Sequence, residues 1–173
     1  IRLTPNRRLS RYLHKQSCAL VAKKNILTWH SEKILPLTAW LTNYWQKCSD
    51  TRVLLTQHQE RLLWQQIIEE ILGKGFNGIV DTIIKAHELM TNWQLDYTNW
   101  QDYETEDISI FKRLNRKFNQ YCKKYNFVVT CQLPSLLLPH LQHHDLKITL
   151  AEFDEYNPQL KTLVDGLEKF GCK

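Results

Sequence analysis

Ile148-Thr149-Leu150-Ala151-Glu152-Phe153-Asp154-Glu155-Tyr156-Asn157-Pro158-Gln159 is the stretch on which the fold turns. Its apolar run reads as a strand over Lys147–Leu150, acids follow, and Pro158 opens a closing helix over 158–170 with Leu160, Leu163, Val164, Leu167 and Phe170 on one face. Strand, acid, helix is the order in which nucleotide-hydrolysing α/β domains set a magnesium ligand at the carboxyl end of a strand.

The opposite end of the chain has the same form with the charge reversed. Ile1–Leu3 reads as a strand, Thr4 as a helix N-cap and Pro5 as the first helical residue, with the helix running to about Cys18. Leu9, Tyr12, Leu13 and Leu20 form its apolar stripe. Arg7, Arg11 and Lys15 recur every four residues on another face, and Arg8 adjoins them. Arginines beside the free N–H groups of a helix start make a natural phosphate site; a solvated face, or a contact to another part of the parent protein, is the plainer alternative.

Between these ends the pattern is helical. Helices are expected from Pro36 (Leu37, Trp40, Leu41, Tyr44, Trp45), after the Thr56/Gln59 capping box (Leu63, Trp64, Ile67, Ile68, Ile71), over 77–93 (Val80, Ile83, Ile84, His87, Met90, Trp93) and over 104–125 (Ile108, Phe111, Leu114, Phe118, Cys122, Tyr125). A short sixth begins at Leu133-Pro134. Gly73 and Gly75 end the third; Gly73-Lys74-Gly75-Phe76-Asn77-Gly78 lacks the spacing of a phosphate loop and follows a helix. Two lone strands cannot make a stable sheet, since parallel strands need cover on both faces. The expected architecture is therefore an incomplete, helix-rich α/β domain with a helical insertion: a basic strand-helix segment over 1–33, the insertion over 34–142 and a strand-helix segment over 143–173.

Composition agrees with a folded chain of 173 residues, 43% of them hydrophobic, with six Trp. No apolar run reaches the roughly 18 residues that span a bilayer, and a signal-peptide pattern is missing, so a soluble, cytoplasmic domain is expected. The opening without Met, directly in a strand, suggests a piece of a larger protein whose neighbouring strands lie elsewhere. The five Cys are widely spaced without a C-x-x-C pair, which suggests neither a disulfide framework nor a zinc site. His140, His143 and His144 lack a Cys in ligand register and read as solvated loop residues. The net charge of +5 is uneven: residues 1–33 carry eight bases against Glu32. A second basic cluster, Lys112, Arg113, Arg116, Lys117, Lys123 and Lys124, follows Asp102, Glu104, Glu106 and Asp107, an order that suits a helix dipole. Trp29, Tyr97 and Trp100 fall outside the helical stripes and are candidates for exposed stacking.

Four segments in order carry a resemblance: Leu3-Thr4-Pro5-Asn6-Arg7-Arg8-Leu9-Ser10-Arg11, Ile34-Leu35-Pro36-Leu37-Thr38-Ala39-Trp40-Leu41, Leu54-Leu55-Thr56-Gln57-His58-Gln59-Glu60-Arg61-Leu62-Leu63-Trp64 and Phe153-Asp154-Glu155-Tyr156-Asn157-Pro158-Gln159. Together they resemble the N-terminal part of the AddB-like probable DNA repair proteins. The resemblance implies a partial P-loop-NTPase-like domain: an inactivated helicase region of the UvrD type, joined in the parent to a PD-(D/E)XK nuclease. It implies double-strand break repair, with DNA and a helicase-nuclease partner subunit, or the rest of the parent chain, as partners. Thr4, Asn6 and Arg7 look like the helicase segment that contacts single-stranded DNA.

Leu150-Ala151-Glu152-Phe153-Asp154-Glu155-Tyr156-Asn157 is similar to the active helicase motif II sequence V-D-E-F-Q-D-T-N. That alignment puts Ala151 at the magnesium-binding Asp, keeps Glu152 at the water-activating acid and replaces the Gln by Asp154; an alternative register makes Asp154 and Glu155 the metal pair. Either way the motif is degenerate. The expectation is a non-catalytic scaffold without cofactor or metal, whose DNA contacts come from Arg7, Arg8, Arg11 and Lys15, with Thr4 and Asn6 positioning the strand. An active ATPase motor with its phosphate loop upstream, and a docking domain that never touches DNA, stay open as alternatives.

Overall fold

A computed structural model describes residues 1–23, 31–96, 105–141 and 147–169. Its strands are β1 (Arg2–Thr4), β2 (Ile34–Pro36), β3 (Val53–Leu54), β4 (Phe127–Val128) and β5 (Thr149–Leu150). Its helices are α1 (Arg7–Lys23), α2 (Leu37–Trp45), α3 (Gln57–Leu72), α4 (Val80–Asn92), α5 (Glu106–Tyr125), α6 (Leu133–Leu137) and α7 (Pro158–Lys169). The protein is thus helix-rich α/β, with a few short parallel strands. It divides into two compact units, one of Ile1–Ser49, Pro134–Tyr156 and Leu160–Lys173, the other of Asp50–Leu133 and Asn157–Gln159.

The first unit holds a three-stranded parallel sheet in the order β2-β1-β5. The two expected strands are therefore not alone: they are neighbours, in register Arg2↔Thr149 and Leu3↔Leu150, and β2, absent from the sequence reading, pairs on the other side of β1. Pro36 ends this strand instead of opening the next helix, which starts at Leu37. Pro is tolerated there because β2 is an edge strand. Leu3, Ile34, Trp40, Leu41, Trp45, Leu163 and Leu167 are among the buried residues of this unit.

The start of α1 also differs from expectation. Thr4 is the last residue of β1 and fully buried; its Oγ1 donates to the Asn6 carbonyl at 3.0 Å, so it shapes the turn and cannot cap. The cap is Asn6, whose Oδ1 accepts the Leu9 N–H at 2.9 Å, and the helix begins at Arg7 and runs on to Lys23. Tyr12 and Leu20 are 56% and 62% exposed, off the inner face; the buried residue of the helix is Ser10, whose hydroxyl donates to the Ile34 carbonyl at 2.9 Å.

In the second unit β3 and β4 pair in parallel, so the chain between them must cross over, and it does so through α3, α4 and α5. The Thr56/Gln59 capping box forms as the sequence indicates, and Gly73, at φ 90°, ends α3 where an L side chain would be strained. The core joins Trp64, Ile67 and Ile68 of α3, Val80 and Ile83 of α4, and Leu114, Phe118 and Cys122 of α5. Trp64 stacks on Phe118 with ring centroids 4.0 Å apart, a pairing worth about 1 kcal/mol beyond its buried area. Glu106 and Asp107 in the first turn of α5, and Lys123 and Lys124 in its last, match the dipole arrangement read from the sequence.

Candidate functional site

The carboxyl ends of parallel strands share one edge of a sheet, and in open α/β sheets ligands bind in the crevice where strand order reverses. In the first unit β1 is the central strand: β2 follows it through α1 on one side, and β5 joins it on the other. The reversal therefore lies between β1 and β5, and the two charged junctions leave the sheet side by side there. The Ala151 N–H donates to the Leu3 carbonyl at 2.9 Å, which fixes how the two strand ends meet.

From β1 the chain passes through Thr4, Pro5 and Asn6 into α1. Asn6 as cap puts Arg7 and Arg8 in the first two helical positions, at the positive end of the helix macrodipole. No acid lies in that first turn, and Arg7, Arg8, Arg11 and Lys15 are all exposed. None of the four has an ion-pair partner among the described residues. Cations at that end of a helix cost stability, about 0.3–1 kcal/mol each, unless an anion meets them.

From β5 the chain passes through Ala151 to Glu152, which has a left-handed φ of 59°. A non-glycine residue there carries strain of about 1–2 kcal/mol and marks a sharp change of direction. Ala151 is half-buried, while Glu152, Asp154 and Glu155 are exposed and pair with no base among the described residues. The structure thus brings the Arg7/Arg8 end of α1 and the Ala151–Glu155 segment to one edge of one sheet. Arg11 and Lys15 lie one and two turns further along the helix.

Gly73–Gly78 is a helix stop and a turn into α4. His140 lies edge-on to Trp45, and its carbonyl accepts the Tyr44 hydroxyl; His143 and His144, like Trp29, Tyr97 and Trp100, lie outside the described residues. Among the described residues no three of His, Cys, Asp and Glu are disposed to hold a metal ion, and no helix is long and apolar enough to cross a membrane. A cleft of about 740 Å³ opens beside β2, walled by His14 of α1 and by Trp40, Asn43, Tyr44 and Lys47 of α2.

The two edges of the sheet are not equivalent. On β2 the outward Ile34 carbonyl is taken by Ser10 and Pro36 has no N–H, so that edge is partly closed. On β5 the Thr149 and Ala151 N–H groups bond to β1, so the Leu150 N–H and carbonyl face outward, where nothing among the described residues pairs with them. The sequence reading missed the closing role of Ser10; the only signal is a small polar residue between Leu9 and Leu13 on the inner side of the helix.

No protein-family model matches this chain, and no curated protein matches it.

Proposed function

We propose that this chain is a non-catalytic, helicase-like region of a DNA-repair protein that contributes DNA contact and subunit docking. Arg7, Arg8, Arg11 and Lys15 contact phosphates of a single strand, with Asn6 fixing the helix start that presents them and Thr4 the turn beneath it. The observation that carries the reading is the pair Arg7 and Arg8 in the first turn of α1, exposed and without an acid in that turn. An electrostatic cost held at a helix start is relieved by an anion. The parallel arrangement of β2, β1 and β5 supports a P-loop-NTPase-like origin, and Ala151 at the end of β5 supports loss of the magnesium-binding carboxylate. The outward-facing Leu150 backbone supports docking, because an unpaired edge accepts a strand.

The test is fluorescence anisotropy of the chain with a labelled single-stranded oligonucleotide across a salt series. Four phosphate contacts give a log–log slope of about −3. Changing Arg7, Arg8 and Arg11 together to Ala should leave a slope of about −1 and much weaker binding. Salt-independent binding, or binding unaffected by the triple change, rules this interface out; no binding at low salt leaves the docking role alone.

A further inference from the structure

We propose that a row of aromatic rings on the second unit, Tyr121, Tyr125 and Phe127, is a stacking platform for the bases of single-stranded DNA, served by the cations of the same helix. The choice of ligand rests on the DNA contact proposed above; the site is a different one, built on α5 and β4.

The end of α5 sets the rings in line. Tyr121 and Tyr125 stand one turn apart on the helix, with ring centroids 5.8 Å apart and planes inclined by 34°. Asn126 then stops the helix in the left-handed conformation, at φ 54°, and Phe127 of β4 continues the row, its centroid 5.7 Å from that of Tyr125 and its plane inclined by 28°. The inner side of the row is fixed. The Tyr121 hydroxyl donates to Glu70 Oε2 of α3 at 3.2 Å, and Tyr121 and Phe127 pack against the core that contains Trp64 and Phe118. Tyr125 is the outermost ring and is 47% exposed. Rings already held in place lose little freedom when a base settles on them.

The charge around the row is of one sign. After Asp107, α5 carries six bases and no acid. The helix dipole accounts for Lys123 and Lys124 in the last turn, but its effect does not reach Arg113 and Arg116, more than two turns away. Lys117 lies 5.6 Å from the Tyr121 centroid and its Nζ bonds to Glu70 Oε1 at 2.7 Å, so its charge is matched within the fold. Lys124 Nζ lies 5.0 Å from the Tyr125 centroid. Lys124, Lys123, Arg113 and Arg116 are all exposed and have no ion-pair partner among the described residues. An exposed cation–π contact is weak, and it yields when a base takes the ring and a phosphate takes the ammonium. Open rings with unmatched cations beside them are the combination by which single strands are held without regard to sequence. An acidic peptide would match the cations and leave the rings unused, whereas a nucleotide matches both.

The test is fluorescence anisotropy of the whole chain with two labelled strands of equal length, one of thymidines and one fully abasic. Both carry the same phosphates, so the face of α1 cannot tell them apart and stacking can. The thymidine strand should bind about tenfold more tightly. Tyr125→Ala should remove most of that preference and leave the abasic affinity unchanged. Tyr125→Leu, which keeps an apolar side chain beside Phe127, should do the same, and Tyr125→Trp should keep the preference. Equal binding of the two strands overturns the proposal, as does a preference that survives both Tyr125→Ala and Tyr125→Leu. Binding of neither strand overturns it together with the α1 interface. The two also fail separately: a preference lost with Tyr125, in a chain indifferent to the triple change of Arg7, Arg8 and Arg11, keeps the platform and rejects α1, and the reverse pattern rejects the platform alone.

Discussion

The Ala151 amide donates to the Leu3 carbonyl at 2.9 Å, and that one bond sets the acidic exit of β5 beside the basic exit of β1. Residues almost 150 positions apart in the chain thereby share an edge of one sheet. Composition alone separates a basic start from the rest of the chain; pairing makes the separation local, with Arg7 and Arg8 at one strand end and Glu152, Asp154 and Glu155 at the next. A polyanion bound by α1 must then lie along the helix, toward Arg11 and Lys15 and away from those carboxylates.

Arg8 gives that arrangement a test in which stability and binding move in opposite directions. It occupies the second position of α1 and is exposed, so Arg8→Glu replaces an unfavourable charge at the helix start by a favourable one. Urea denaturation should show a gain of about 0.3–1 kcal/mol at low salt, shrinking as salt is added. Oligonucleotide affinity should fall in the same protein. A loss of stability would mean that Arg8 is satisfied by an anionic partner within the chain, and the phosphate-contact reading would lose its main support.

His87 predicts an acid limit on the second unit. Burial lowers its pKa below 6.5, so the stability it contributes is complete above that value and lost as pH falls through the lower, folded one. Burial pushes the Glu60 carboxyl up to about 7, so Glu60 acts with the opposite sign over part of the same range and the effect is read in the Glu60→Gln background. There, stability should fall from about pH 7 toward about pH 5, and adding His87→Gln should flatten the curve even though it lowers its height. A slope that survives the second change would assign the acid sensitivity to other groups.

How much of this was legible in the sequence depended on how many residues each feature spans. The Thr56/Gln59 box and the stripe of Trp64, Ile67 and Ile68 repeat over several turns, and the structure has both. Strands of two or three residues, such as β3 and β4, carry too little alternation to be seen, and β2 was hidden because Ile34 and Leu35 abut Pro36, which reads equally well as a helix start. The cap of α1 was misread by two residues because Thr4 and Asn6 are both good caps, and only the sheet decides that Thr4 is needed inside. Glu60 has no place in the stripe that the sequence reading starts at Leu63, although it lies four residues before Trp64 on the same helix face, and the structure buries it. The basic face of α1 was legible because charge recurring every four residues needs no tertiary information.

Glu152 separates what the end of β5 does for the fold from what its side chain does. With φ at 59° it adopts a conformation that L side chains resist, at a cost of about 1–2 kcal/mol. Its carboxylate is exposed and pairs with no base among the described residues, so no ion pair among them offsets that cost. Glycine removes the strain and gives back part of the gain in unfolded-chain entropy, so Glu152→Gly should raise stability by up to about 1 kcal/mol. Removing a carboxylate from the strand end that neighbours the start of α1 should also strengthen oligonucleotide binding at low salt. If the variant is instead less stable, the Glu152 side chain holds the chain in its left-handed turn through a contact of its own. If it is more stable but binds less well, the acid belongs to the DNA-contacting surface and is not a bystander beside it.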